Sequence, residues 1–157
     1  MGTHSRIAVM HGTVCKSVYC HWDGYLSFNG RILQESYDSS KANQLVALGD
    51  LSSLRATIGE KHKFSPFDQQ ELSNEEFEKQ FGDMCTFYGR DRGEKDTEFK
   101  VAVNFETFLE QCYNSGAEYY YIMKDDVWYC GDTYGTTDLS TKLTLLSDAL
   151  KQETAKA

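Results

Sequence analysis

Ser5-Arg6-Ile7-Ala8-Val9-Met10-His11-Gly12-Thr13-Val14-Cys15-Lys16-Ser17-Val18-Tyr19-Cys20-His21-Trp22 decides the fold of this chain. Residues 5–10 and 14–22 read as strands, and His11-Gly12-Thr13 between them is turn-forming. A two-residue Gly12-Thr13 loop sets the register, with Ile7 opposite Val18 and Val9 opposite Lys16. One face then carries Ile7, Val9, Val14, Val18, Cys20 and Trp22. A slip by one residue would set apolar positions against polar ones, which a half-buried sheet resists. Residues of like parity share a face, so the other face carries His4, Arg6, Ala8, Met10, Cys15, Ser17, Tyr19 and His21. His4 falls opposite His21 and Arg6 opposite Tyr19. A polar, ionisable cluster is therefore expected at the open end of the hairpin.

Outward from the hairpin, Asp23-Gly24-Tyr25 and Asn29-Gly30 punctuate the chain. Helices are expected over 30–37 and 40–48, the second capped by Ser39 or Ser40. Asp50 suits the cap of a short turn through Leu51, Leu54 and Ile58. Residues 59–72 are polar and read as a surface loop. Ser73-x-x-Glu76 is a capping box opening a helix with Phe77 and Phe81. Residues 99–105 alternate as a strand. Asn104 then caps a helix bearing Phe108, Leu109 and Cys112, which Asn114-Ser115-Gly116 ends. Residues 118–123 and 127–130 form a second hairpin turning at Asp125-Asp126. A last helix from Asp138 lines up Leu139, Leu143, Leu146 and Leu150. This order predicts a single α+β domain over 1–157. Its antiparallel or mixed sheet is built from the two hairpins plus one further strand, with helices packed on one face.

The bulk composition bounds the function. The chain has 157 residues, 16 basic and 24 acidic, with a formal net charge of −8. General nucleic-acid binding needs many Lys and Arg on phosphates and is disfavoured. No apolar run suggests a leader peptide or a membrane span. Five cysteines, an odd number without a secretory signal, read as reduced thiols in a cytoplasm.

Two segments carry candidate chemistry. The first is the open hairpin end, with His4, Arg6, Tyr19 and His21 on one face and Asp23 and Tyr25 as its rim. It combines imidazoles, a guanidinium, aromatic rings and an acid, the parts that hold a phosphorylated or base-bearing small molecule. The structural alternative is edge aromatics with His21 and Asp23 as a strand-end pair. The second segment is Thr86-Phe87-Tyr88-Gly89-Arg90-Asp91-Arg92-Gly93-Glu94-Lys95. Tyr88, Arg90 and Arg92, flanked by glycines, suit an anionic ligand. The alternative there is a charged surface loop, since Asp91 and Glu94 nearly cancel its positive charge. The phosphate-loop, dinucleotide, Cys-x-x-Cys, His-x-x-x-His and Gly-x-Ser-x-Gly motifs are absent. No catalytic residue, cofactor or metal is assigned. A metal on His4, His21 and Asp23, a Cys20–His21 nucleophile pair, and acid–base work by His4 and His21 are the minor options.

The stretches Met1-Gly2-Thr3-His4-Ser5-Arg6-Ile7-Ala8-Val9, Tyr19-Cys20-His21-Trp22-Asp23-Gly24-Tyr25, Ala47 to Leu54 and Thr86 to Glu94 together resemble a family of small proteins encoded by tailed bacteriophages. Members typically start Met-Gly-Thr-Arg-Ser. His4 stands at the position of the family Arg, so no role of that Arg is carried over. The resemblance covers most of the chain. It implies a protein made in the cytoplasm of an infected bacterium and implies no catalytic residue. The resulting expectation is a non-enzymatic phage accessory protein that binds a small anionic ligand, a nucleotide signal sequestered to counter host defence. Two alternatives stand beside it. One is a protein–protein inhibitor of a host enzyme or defence complex. The other is a small phosphodiesterase using His4 and His21. The terminal leucine stripe reads most simply as core packing, with a dimer seam as the minor option.

Overall fold

The computed structural model describes residues 3–59, 84–133 and 143–156. Strands β1 (Ser5–His11) and β2 (Val14–Cys20) form the expected hairpin, with Ile7 opposite Val18, Val9 opposite Lys16 and Arg6 opposite Tyr19. Gly12 closes the turn at φ +63, a conformation that glycine adopts without steric cost. The other edge of β1 pairs in parallel with β6 (Tyr119–Lys124), which turns back into β7 (Val127–Asp132). Asp125 and Asp126 sit at that turn with φ of 52 and 64, as a two-residue hairpin loop demands.

Short strands complete the sheet. β3 (Leu51–Ser53) runs parallel to the end of β2, and β4 (Thr86–Phe87) pairs antiparallel with β3. β5 (Lys100–Ala102) pairs with the first half of β2, and β8 (Thr144–Leu145) with β7. Among the described residues the sheet is mixed and eight-stranded, in the order β4-β3-β2-β1-β6-β7-β8, with β5 alongside β2. The α+β class and the mixed sheet follow the sequence pattern, and the strand count exceeds two hairpins and one strand. Strands of two or three residues carry too little alternation to be read locally.

Helices α1 (Arg31–Ser36), α2 (Ser39–Ala47) and α4 (Leu146–Lys156) share one core with the sheet. That core joins Ile7, Val9, Val18 and Cys20 to Leu33, Leu45 and Leu146. Helix α3 (Phe105–Ser115) covers the opposite face, where Phe108, Leu109 and Cys112 meet Ala8, Met10, Cys15, Tyr120 and Ile122. The expectation of helices on one face is corrected here. Both faces of β1 and β6 are apolar over most of their length, and a sheet apolar on both sides needs cover on both.

Local corrections follow tertiary partners. Asp38, not Ser39 or Ser40, caps α2, its carboxylate accepting from Lys41 N at 2.8 Å. Asp50 caps no turn; its Oδ1 accepts the Tyr19 amide at 2.9 Å, and Leu51 enters β3. A π-type turn, Leu26–Gly30, precedes α1. The last helix starts at Leu146, and Asn104 and Gly116 bound α3 as expected. The capping box at 73–76, its helix, all but the first residue of the loop over 59–72, and Asp138 and Leu139 lie outside the described residues.

All five cysteines are free and buried. Burial pushes the thiols up, Cys15 and Cys130 to about 11 and Cys20 and Cys112 to about 12. The thiolate is the nucleophile. The native protein is therefore expected to resist a thiol reagent at about pH 8 over the minutes in which denatured chain reacts fully. Stoichiometric labelling of any cysteine in the native state would contradict this. The same burial removes Cys20 as a nucleophile partner for His21.

Candidate functional site

His4 and His21 lie one step beyond the last paired residues of the hairpin, Ser5 and Cys20. His4 Nδ1 donates to the His21 carbonyl at 2.7 Å. The two imidazoles lie 4.5 Å apart between ring centroids, tilted by 31°. Tyr19 Oη meets His21 Nδ1 at 2.9 Å. Trp22 stands edge-on to His21 at 4.7 Å and is 44% exposed. Burial pushes the Tyr19 phenol up to about 12, so it is neutral at physiological pH. Burial, then His4, then Arg92 hold His21 below the ordinary histidine range.

Strand β3 brings the second segment to this end. His21 N donates to Leu51 O at 3.1 Å and Trp22 N to Ser52 O at 3.0 Å. Asp50 N then donates to Thr97 O at 2.7 Å, and Tyr88 N to Asp50 O at 3.1 Å. The loop after β4 is thereby held against the hairpin end. Tyr88, half-buried, hydrogen-bonds Ser52. The Arg92 guanidinium lies over the Tyr88 ring at 5.0 Å, and its charge reaches His21. Arg92 also pairs with Glu94 at 3.0 Å, on the surface.

The two arginines of the Arg-x-Arg pair do different work. Arg90 donates to the carbonyls of Gly59, Ile58 and Cys85 at 3.0 to 3.1 Å, and its Nε to Asp91 at 3.0 Å. Its guanidinium covers the Phe87 ring at 4.6 Å. Arg90 builds the loop, and Arg92 faces the hairpin.

Arg6, placed by the register on the same face as Tyr19, is 1% exposed under α3. Its Nε donates to Ser17 Oγ at 3.0 Å and its Nη2 to the Ser17 carbonyl at 3.2 Å. Burial lowers its affinity for the proton, with Cys112 and then Asp50 opposing. Arg6 contributes a positive field beneath the cluster, not a surface contact. Asp23 is half-buried at φ +58, and its carbonyl accepts Asn29 N at 3.2 Å. Tyr25 is exposed beside Phe28, 6.1 Å between centroids. Both belong to the loop that Gly24 N pins to Thr3 O at 2.7 Å.

Two positions went unread as site supports. Asn29, fully buried, donates to Ser5 Oγ, Cys20 Sγ and Trp22 O within 3.4 Å, and so ties the loop to both strands. Its sequence signal was only that of a turn residue before Gly30. Asp50 has the local sequence of a cap, and its carboxylate anchors the Tyr19 amide instead. Among the described residues no group of three or more His, Cys, Asp or Glu could hold a metal, so His4, His21 and Asp23 form no such site.

A cleft of about 590 Å³ lies at the far end of the sheet, near the β6–β7 turn. Glu35, Asp38 and Asp126 line it with Tyr37, Met123 and Trp128, and among the described residues no basic side chain does. No family model matches the chain, and no curated protein or solved structure matches it either.

Proposed function

We propose that the chain is a phage accessory protein that binds a small anionic ligand of the nucleotide class at the His4–Tyr19–His21–Arg92 surface and withholds it from host defence signalling. The observation that most supports this reading is the pair of imidazoles 4.5 Å apart, with the charge of Arg92, from a segment about seventy residues away in sequence, reaching His21. Arg92 offers a fork for phosphate oxygens. The imidazoles add N–H donors, and the exposed Trp22 ring adds a face for a base. The net charge of −8 confines binding to small ligands rather than long polyanions.

A bound ligand raises the melting temperature, so cyclic and linear nucleotides and ADP-ribose derivatives should separate into shifting and silent compounds. Arg92→Ala is expected to weaken binding by about 10–100-fold, the worth of a hydrogen bond to a charged group. A panel without any shift, or an R92A protein that binds as tightly as wild type, contradicts the reading. The acidic cleft supports a second reading, an inhibitor that takes a basic segment of a host enzyme. A stoichiometric protein partner captured equally by wild type and R92A would favour it.

A further inference from the structure

The paired imidazoles carry more than binding. His4 Nδ1 is held by the His21 carbonyl and His21 Nδ1 by the Tyr19 hydroxyl, which leaves Nε2 of each ring as its working atom. Among the described residues neither Nε2 makes a hydrogen bond. Among the described residues the buried side-chain polar atoms without a partner are Asn29 Oδ1, Gln111 Oε1 and Tyr120 Oη, and neither Nε2 is one of them.

The two rings have opposite preferences for charge. A carbonyl only accepts, so His4 keeps its Nδ1–H, and protonation at Nε2 strengthens that bond. A hydroxyl donates or accepts, so the Tyr19 phenol serves His21 in either state. His21 also feels His4 at 4.5 Å and the Arg92 guanidinium. Two like charges at that separation repel, which disfavours charging both rings at once. His4, with its Nδ1–H fixed on the carbonyl, is placed to give a proton from Nε2, and His21, held below the ordinary histidine range, is placed to take one. One protonation state thus presents an acid and a base side by side.

We infer that His21 and His4 act as general base and general acid in cleaving a ribonucleotide phosphodiester by its own 2′-hydroxyl. This rests on the anion-site reading above. His21 Nε2 takes the 2′-hydroxyl proton as that oxygen bonds to phosphorus. The bond from phosphorus to the 5′-oxygen breaks, and His4 Nε2–H protonates the departing oxygen. The products are a 2′,3′-cyclic phosphate and a 5′-hydroxyl. One proton is taken and one given, and solvent returns the first from His21 to His4. Tyr19 is a positioning residue that steadies His21 through Nδ1.

The test uses the full chain with the diribonucleotide UpA and its 2′-deoxy counterpart dUpA. Mass spectrometry should find adenosine and uridine 2′,3′-cyclic phosphate from UpA, with dUpA intact. The rate should trace a bell against pH, and Tyr19→Phe should move the limb that reports His21. His4→Gln and His21→Gln should each lower the rate by about 100-fold or more. Calorimetry with dUpA should show a much smaller loss of affinity in both variants. UpA recovered intact while dUpA binds overturns this inference and leaves the binding reading standing. UpA recovered intact without heat from dUpA overturns both. Cleavage that persists unchanged in both glutamine variants assigns the activity to another agent and also overturns it.

Discussion

Phe108→Ala is expected to destabilise the protein by about 3–5 kcal/mol, the usual cost of emptying a buried aromatic site. For a chain of this length the melting temperature should fall by roughly 6–20 °C. Phe108 is fully buried on α3 and meets Tyr120 edge-to-face, 5.7 Å between centroids at 89°. Tyr120 is itself fully buried on β6, so neither ring has solvent to relax into. Phe105, half-buried one turn earlier, packs on the same two rings, and its alanine variant should lose clearly less. A Phe108→Ala loss below about 1 kcal/mol, the range of surface changes, would mean that α3 does not cover the sheet.

Gly24→Val should be similarly damaging for a different reason. A Cβ at residue 24 would stand 2.8 Å from Ser5 Cβ and 2.9 Å from both the His4 carbonyl carbon and the Thr3 oxygen. Two of those atoms are backbone and cannot rotate aside. The turn would have to lift off β1, which breaks the bond from Gly24 N to Thr3 O and the 2.6 Å bond by which Tyr121 Oη donates to Gly24 O. Overpacking and the loss of these hydrogen bonds together cost about 3 kcal/mol. The melting temperature should fall by roughly 6–12 °C. His4 travels with the same backbone, so nucleotide binding should weaken as well. A valine variant that melts with wild type would show that the approach of residue 24 to Thr3–Ser5 is not real.

The hairpin register was legible because its information is local. Apolar residues alternate with polar ones, and a glycine marks the turn, so only one pairing keeps Ile7 and Val18 together. That register alone brings His4 to His21, and the heart of the candidate site follows from it. What lies over the second face was not legible. Ala8, Met10 and Cys15 share that face with Arg6 and Ser17, and the mixture reads as polar until α3 is in place. Arg6 is buried for the same reason. The parallel pairing of β1 with β6 has no local signature, since the two segments are more than one hundred residues apart. Asp50 illustrates a competition. Its local environment suits a helix cap, and a distant amide, that of Tyr19, claims the carboxylate. Arg90 and Arg92 look equivalent in sequence. Only the carbonyls of Ile58, Gly59 and Cys85 distinguish them, by occupying Arg90.

The central claim is that an anionic nucleotide seats between Arg92 and the paired imidazoles. Proton NMR of the imidazole rings, recorded across pH with and without dUpA, addresses it directly. The His4 and His21 resonances should move on binding, and the His21 titration should rise from its depressed position, because a nearby anion favours the imidazolium. His11, at the closed end of the hairpin, should stay still. Unmoved His4 and His21 signals at saturating dUpA, or a shift confined to His11, would contradict the account.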